Sequence, residues 1–115
     1  GYGAMKLALK YSDLFCSVAA HSGAFGLRND PTRRLDYIDC CLELASALKP
    51  DTAPAIRFDC GIDDFLIEHN REFHRHLESL DIPHEYEEFP GGHSWAYWDE
   101  HVQEAIAFHR RTLGI

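Results

Sequence analysis

The chain lacks any apolar run approaching the roughly 20 residues of a membrane-spanning helix, and nothing in its opening residues reads as a signal peptide. Basic residues are scarce: 11 Lys and Arg stand against 19 Asp and Glu, giving a formal charge of -8 and an isoelectric point near 5.3. Nucleic acids and anionic membranes both need a basic face, so neither is expected as the main partner. The four cysteines, Cys16, Cys40, Cys41 and Cys60, contain no C-x-x-C pair, and adjacent Cys40 and Cys41 are poorly placed for a disulfide. Three of them sit in apolar stretches, where a free thiol behaves as a small buried hydrophobe. Reduced, structural cysteines are expected, which suits a cytoplasmic protein. Methionine occurs once, at Met5, and the first residue is Gly1, as expected of a processed product or a fragment. Internal repeats and low-complexity segments are absent.

What remains is ordinary globular material: 115 residues, 45% hydrophobic, 26% charged and 12% aromatic. That length predicts one domain over 1–115 rather than a two-domain enzyme, burying roughly two-thirds of its unfolded surface. Residues 2–11, YGAMKLALKY, are strong helix formers, with small Gly3, Ala4 and Ala8 suited to close approach by a neighbouring backbone. The apolar run LFCSVAA, 14–20, predicts a strand buried on both faces. Residues 22–33 carry Gly23, Gly26, Asn29, Asp30 and Pro31 and predict a loop. A helix is expected from about Arg34 to Leu48, ended by Pro50. The second half alternates again, with a strand over 55–60, a helix over 65–80, a strand over about 84–89, and a last helix from Ser94 to about Leu113. In that last helix Trp95, Trp98, Val102, Ile106 and Leu113 fall on one face, which predicts core packing for the two tryptophans. Alternating strands and helices predict an α/β fold with about three parallel strands covered by four helices.

Such a sheet carries its chemistry at the carboxyl ends of its strands. Here those ends are His21-Ser22-Gly23, Asp59 through Asp64, and Pro90 through Ser94. An acid and a histidine on successive strand ends are two members of a nucleophilic triad. His93 lies after Gly91 and Gly92, which permit a tight turn swinging the imidazole over the sheet edge. Asp59, Asp63 and Asp64 all cluster at one strand end, and an Asp before a helix is also the commonest kind of N-cap.

GYGAMKLALKYSDLF, VAAHSGAF, CGIDDFL and HEYEEFPGGHSWAYWDEHV together resemble the C-terminal half of esterase D-like α/β-hydrolases. That group includes S-formylglutathione hydrolases, tributyrin-type carboxylesterases and feruloyl or acetylxylan esterases. The resemblance is collinear over essentially the whole chain, and GYGA and FPGGH are its most specific pieces. It implies that Gly1 follows directly on a nucleophile elbow, G-x-S-x-G, with the serine three residues before Gly1. It further implies His93 as catalytic histidine and Asp64, directly before Phe65-Leu66, as triad acid, with Asp63 next and Asp59 last. The implied reaction cleaves short acyl esters or thioesters of small molecules through an acyl-enzyme, without metal or organic cofactor. The oxyanion donors are implied to lie upstream as well, so the chain alone is expected to be inactive.

Competing readings are weaker. Ser22 and Ser94 lack the G-x-S-x-G context, and Ser94 reads as the start of a helix. His69, His74 and His76 are separated by five and two residues, whereas helical metal pairs favour three or four. No metal site is expected there. Glu85, Glu87 and Glu88 read as a solvated edge. A catalytically silent module is the alternative: without a strand beside 16–20, that edge would pair with another chain, giving a homo-oligomer.

Overall fold

A computed structural model of the protein describes residues 1–27 and 40–115. The elements run α1 (Tyr2–Lys10), β1 (Ser17–His21), α2 (Cys41–Ser46), a 3-10 turn (Pro50–Thr52), β2 (Ala55–Gly61), α3 (Ile67–Ser79), β3 (Glu85–Phe89) and α4 (Trp95–Leu113). The strands form one parallel sheet in the order β1-β2-β3, with Ser17 opposite Ala55 and Arg57 opposite Glu85. The loop expected over 22–33 is described only to residue 27. The helix expected over 34–48 is described from residue 40, and is helical from Cys41 to Ser46.

Strand alternation decides which residues meet which layer. Val18, Ala20, Ile56 and Phe58 point to one face, where Met5, Ala8 and Leu9 of α1, Cys41, Leu42 and Ala45 of α2, and Phe73 and Leu77 of α3 close the apolar core. Phe25, Phe58 and Phe73 pack with ring centroids 4.6–5.5 Å apart. Gly3 and Ala4 are exposed; the close backbone approach of α1 falls to Gly1, where a Cβ would lie 2.5 Å from the His21 carbonyl oxygen.

The opposite face of β2 carries Arg57 and Asp59, both fully buried under α4. This overturns the expected orientation of α4. Its buried residues are Tyr97, His101, Ala105 and Phe108, whereas Trp95 is 82%, Ile106 62% and Leu113 53% exposed, with Val102 also outward. The reason is polar: buried Arg57 and Asp59 need hydrogen-bond partners, and the Tyr97 face of the helix supplies one. The acidic run on β3 is not merely solvated. Glu85 meets Arg111, Glu87 meets Arg57, and Glu88 accepts from Arg71 and Tyr86. The Arg71 guanidinium holds the Glu88 carboxyl below the usual range.

The turns after β2 and β3 interlock. Ile62 N–H donates to Phe89 O and Asp63 N–H to Gly91 O, each at 2.9 Å. A Cβ at Gly61 would sit 2.3 Å from Gly91 O, a backbone atom that cannot move aside alone. Gly61→Ala should therefore destabilise the protein by about 1–3 kcal/mol, measured by urea unfolding. It should disturb the residues after Gly91 before it disturbs the far end of the sheet, as read from chemical shifts.

Candidate active site

Those interlocked turns set two side chains together. The chain folds back after β2 through Asp64 N–H to Gly61 O at 3.1 Å, which brings Asp64 to the sheet edge. After β3, Gly91 takes φ +128, a conformation that L side chains rarely adopt, and the next two residues reach His93. His93 Nδ1 then lies 2.9 Å from Asp64 Oδ2, the carboxylate fully buried and the imidazole about one-third exposed. A carboxylate only accepts, so Nδ1 carries the proton, and in the neutral form of the ring the lone pair is on Nε2. Asp64 Oδ1 meanwhile accepts from Leu66 N–H at 2.8 Å, which fixes the turn leading into α3. Asp64 therefore pairs with His93 through one oxygen and closes the turn before α3 through the other, while the N-cap of α3 is Leu66, without a side-chain cap bond. Asp63 is exposed and points to no histidine contact among the described residues.

Cys60 sits beside Asp64 and is buried; burial first, and the Asp64 charge second, push its thiol up to about 12. A thiol held protonated at neutral pH is no nucleophile.

His93 opens on a cleft of about 420 Å³ that Gly1, Ala19, His21, Ser22, Trp95 and Trp98 also line. Trp98 stands edge-on to His93 with centroids 4.9 Å apart, and Phe65 lies 5.0 Å away on the exposed side. Trp95 packs perpendicular to Trp98 at 5.1 Å and is otherwise open to solvent, not in the core. Gly1, the N-cap of α1, thus borders the same cleft as the His93 imidazole.

A second acid–histidine pair lies one strand over. His21 Nδ1 is 2.9 Å from Asp59 Oδ1; Tyr97 donates its hydroxyl to that oxygen at 2.8 Å, and Arg57 donates to Oδ2 at 3.2 Å. Asp59, read from the sequence only as the least favoured triad acid, is the hub of this network. The signal for it was available in the alternation of Arg57 and Asp59 on one face of an otherwise apolar strand.

The remaining candidates each make a defined contact. Ser94 is the N-cap of α4, its side chain accepting from Tyr97 N–H. The Ser22 hydroxyl accepts from the Trp98 indole N–H at 3.1 Å. His69 Nδ1 accepts from Gly26 N–H, His74 pairs with His84, and His76 meets Ser46 and Leu42 O. All four cysteines are free, three of them buried. Among the described residues no group of three His, Cys, Asp or Glu is arranged for a metal ion, and no helix is long and apolar enough to cross a membrane.

Comparison with known proteins gives this arrangement a context. A family model described as "Putative esterase" matches residues 1–109. An acetyl esterase of Caldicellulosiruptor saccharolyticus is 28% identical over 92% of this chain and 49% of its own length. Among solved structures, a ferulic acid esterase superposes with a TM-score of 0.80 at 27% identity, covering 96% of this chain and 46% of that one. The S-formylglutathione hydrolase of Staphylococcus aureus gives 0.69 at 27% identity, covering 93% and 49%. The chain therefore spans about half the length of these relatives. The three parallel strands and four helices of the described residues are an α/β-hydrolase arrangement, and the chain belongs to the esterase family.

Proposed function

We propose that the chain is the acid–base half of a serine carboxylesterase acting on short acyl esters or thioesters. The observation that carries this reading is the 2.9 Å contact of His93 Nδ1 with a buried Asp64, its Nε2 free to face a cleft. His93 is the general base and acid; Asp64 orients it and stabilises the imidazolium. Because α1 starts at the cleft, a residue just before Gly1 reaches the same space as His93. The nucleophile is a serine three residues before Gly1, and residues 1–115 form the C-terminal half of the hydrolase domain.

The steps balance without a metal or organic cofactor. The serine oxygen attacks the ester carbonyl while its proton passes to His93 Nε2. The tetrahedral intermediate collapses, and the leaving alcohol or thiol takes that proton from His93. Water then attacks the acyl-enzyme, giving a proton to Nε2 that returns to the serine as the acid departs. The helix N-terminus at Gly1 favours the oxyanion that forms in each half. Three buried free thiols suit a reducing, cytoplasmic setting.

Among the described residues β1 is one of the two edge strands, and exposed Leu7, Phe15, Val102 and Ile106 are apolar. In the esterase reading the preceding segment adds a strand to β1. The same edge favours a second reading, a silent module in which two copies pair through β1.

The test is fluorophosphonate labelling and 4-nitrophenyl acetate turnover by the protein carrying the segment that precedes Gly1. The expected result is one label, on the serine three residues before Gly1, with turnover lost in step. A label on Ser22 or Ser94, or turnover with no labelled serine, overturns the reading. A tight dimer with neither label nor turnover supports the silent module.

A further inference from the structure

Ser22 is a non-glycine residue at φ 54, in the left-handed region, at the carboxyl end of β1. It is only 4% exposed, and its N–H continues the sheet ladder to Asp59 O at 2.9 Å. A serine there is strained, and a glycine would take the conformation freely. The backbone therefore gains nothing from the side chain. The hydroxyl instead accepts the Trp98 indole N–H at 3.1 Å, and Trp98 stands perpendicular to the His93 ring at 4.9 Å.

His93 needs such a wall. One hydrogen bond, to Asp64, fixes Nδ1 but leaves the ring able to swing about that contact. Phe65 on the other side is 78% exposed, so it is a poor restraint. Trp98 is anchored at two points, through its own helix and through Ser22.

We infer that Ser22 and Trp98 are positioning residues, a clamp that holds the His93 imidazole with Nε2 toward the cleft. Backbone strain at Ser22 is the cost of placing that hydroxyl, a pattern found where local strain serves a site. The clamp acts in catalysis only if His93 is the base proposed above; its effect on the order of the ring does not depend on that reading.

The test compares two variants without the hydroxyl but with opposite backbone consequences. Ser22→Gly relieves the strain and should melt at the same or a higher temperature than the parent. Ser22→Ala keeps the strain and should melt lower. Both should convert the His93 ¹⁵N imidazole signals from one Nδ1–H tautomer to an exchanging mixture. In the longer, active protein both should lower kcat by roughly 10- to 100-fold with KM little changed. If disorder follows melting temperature, so that Ser22→Gly keeps a single tautomer and full kcat, the clamp is wrong. Trp98→Phe, which keeps a ring but loses the N–H, should match the Ser22 variants; a parent-like His93 signal there also refutes the inference. Turnover retained by His93→Ala would instead remove the catalytic reading, with the tautomer signals still deciding the clamp.

Discussion

Replacing His93 by alanine in the protein that includes the segment before Gly1 should lower kcat for a short acyl ester by about 10⁴-fold or more. KM should change little, because the imidazole moves a proton and contributes little to ground-state binding. Asp64→Asn should cost a similar factor by a different route. The asparagine oxygen can still accept from Leu66 N–H, as Asp64 Oδ1 does at 2.8 Å. Its amide then faces His93 as a donor, forces the proton to Nε2, and leaves no base toward the cleft. Imidazole ¹⁵N shifts should report that tautomer reversal directly. If Asp64 served only the turn before α3, Asp64→Asn would leave kcat within a few-fold of the parent, and the acid would have to be sought elsewhere. Asp63→Asn should be nearly silent, since Asp63 is exposed and makes its described bond through the backbone.

The largest effect on stability should come from Arg57→Ala, at about 3–5 kcal/mol. Both Arg57 and Asp59 are essentially inaccessible, and their nitrogen and oxygen atoms meet at 3.2 Å. Removing the guanidinium leaves a carboxylate buried with only Tyr97 and His21 to satisfy it. Against a total of about 5–15 kcal/mol for a domain, that is a large share. The other partner of Arg57 is a useful contrast. Glu87 is half-exposed, so Glu87→Gln should cost under about 1 kcal/mol. Urea unfolding of both single variants and of Arg57→Ala with Asp59→Ala checks the account. The double variant should recover much of the loss, because the penalty belongs to the unpaired charge. Losses that simply add would place the effect in packing of the arginine stem.

The same polar pair explains where the sequence was legible and where it was not. Apolar runs placed β1 and β2 within a few residues, and β3, which is acidic and only partly buried, was placed by Pro83 before it and Pro90-Gly91-Gly92 after it. The strand ends then put Asp64 and His93 on neighbouring turns, and their contact follows from the parallel order β2-β3. The inward face of α4 was misread because helical periodicity ranks faces by hydrophobicity alone. Trp95, Val102, Ile106 and Leu113 form the more apolar stripe, yet Tyr97 and His101 are inside, because the surface they meet carries Arg57 and Asp59. That requirement becomes visible only when α4 is known to cover the second face of β2. Ser22 shows a related limit: its left-handed backbone and its bond to Trp98, 76 positions away, leave no periodic trace.

The central claim is that His93 and Asp64 serve a serine that precedes α1. The most direct test is the coding sequence immediately upstream of Gly1. A serine three codons before Gly1, within G-x-S-x-G, is the result this account predicts, and it makes the chain part of an active esterase. A stop codon or a different residue at that position contradicts it, and leaves a hydrolase-fold module whose role lies in assembly through the β1 edge.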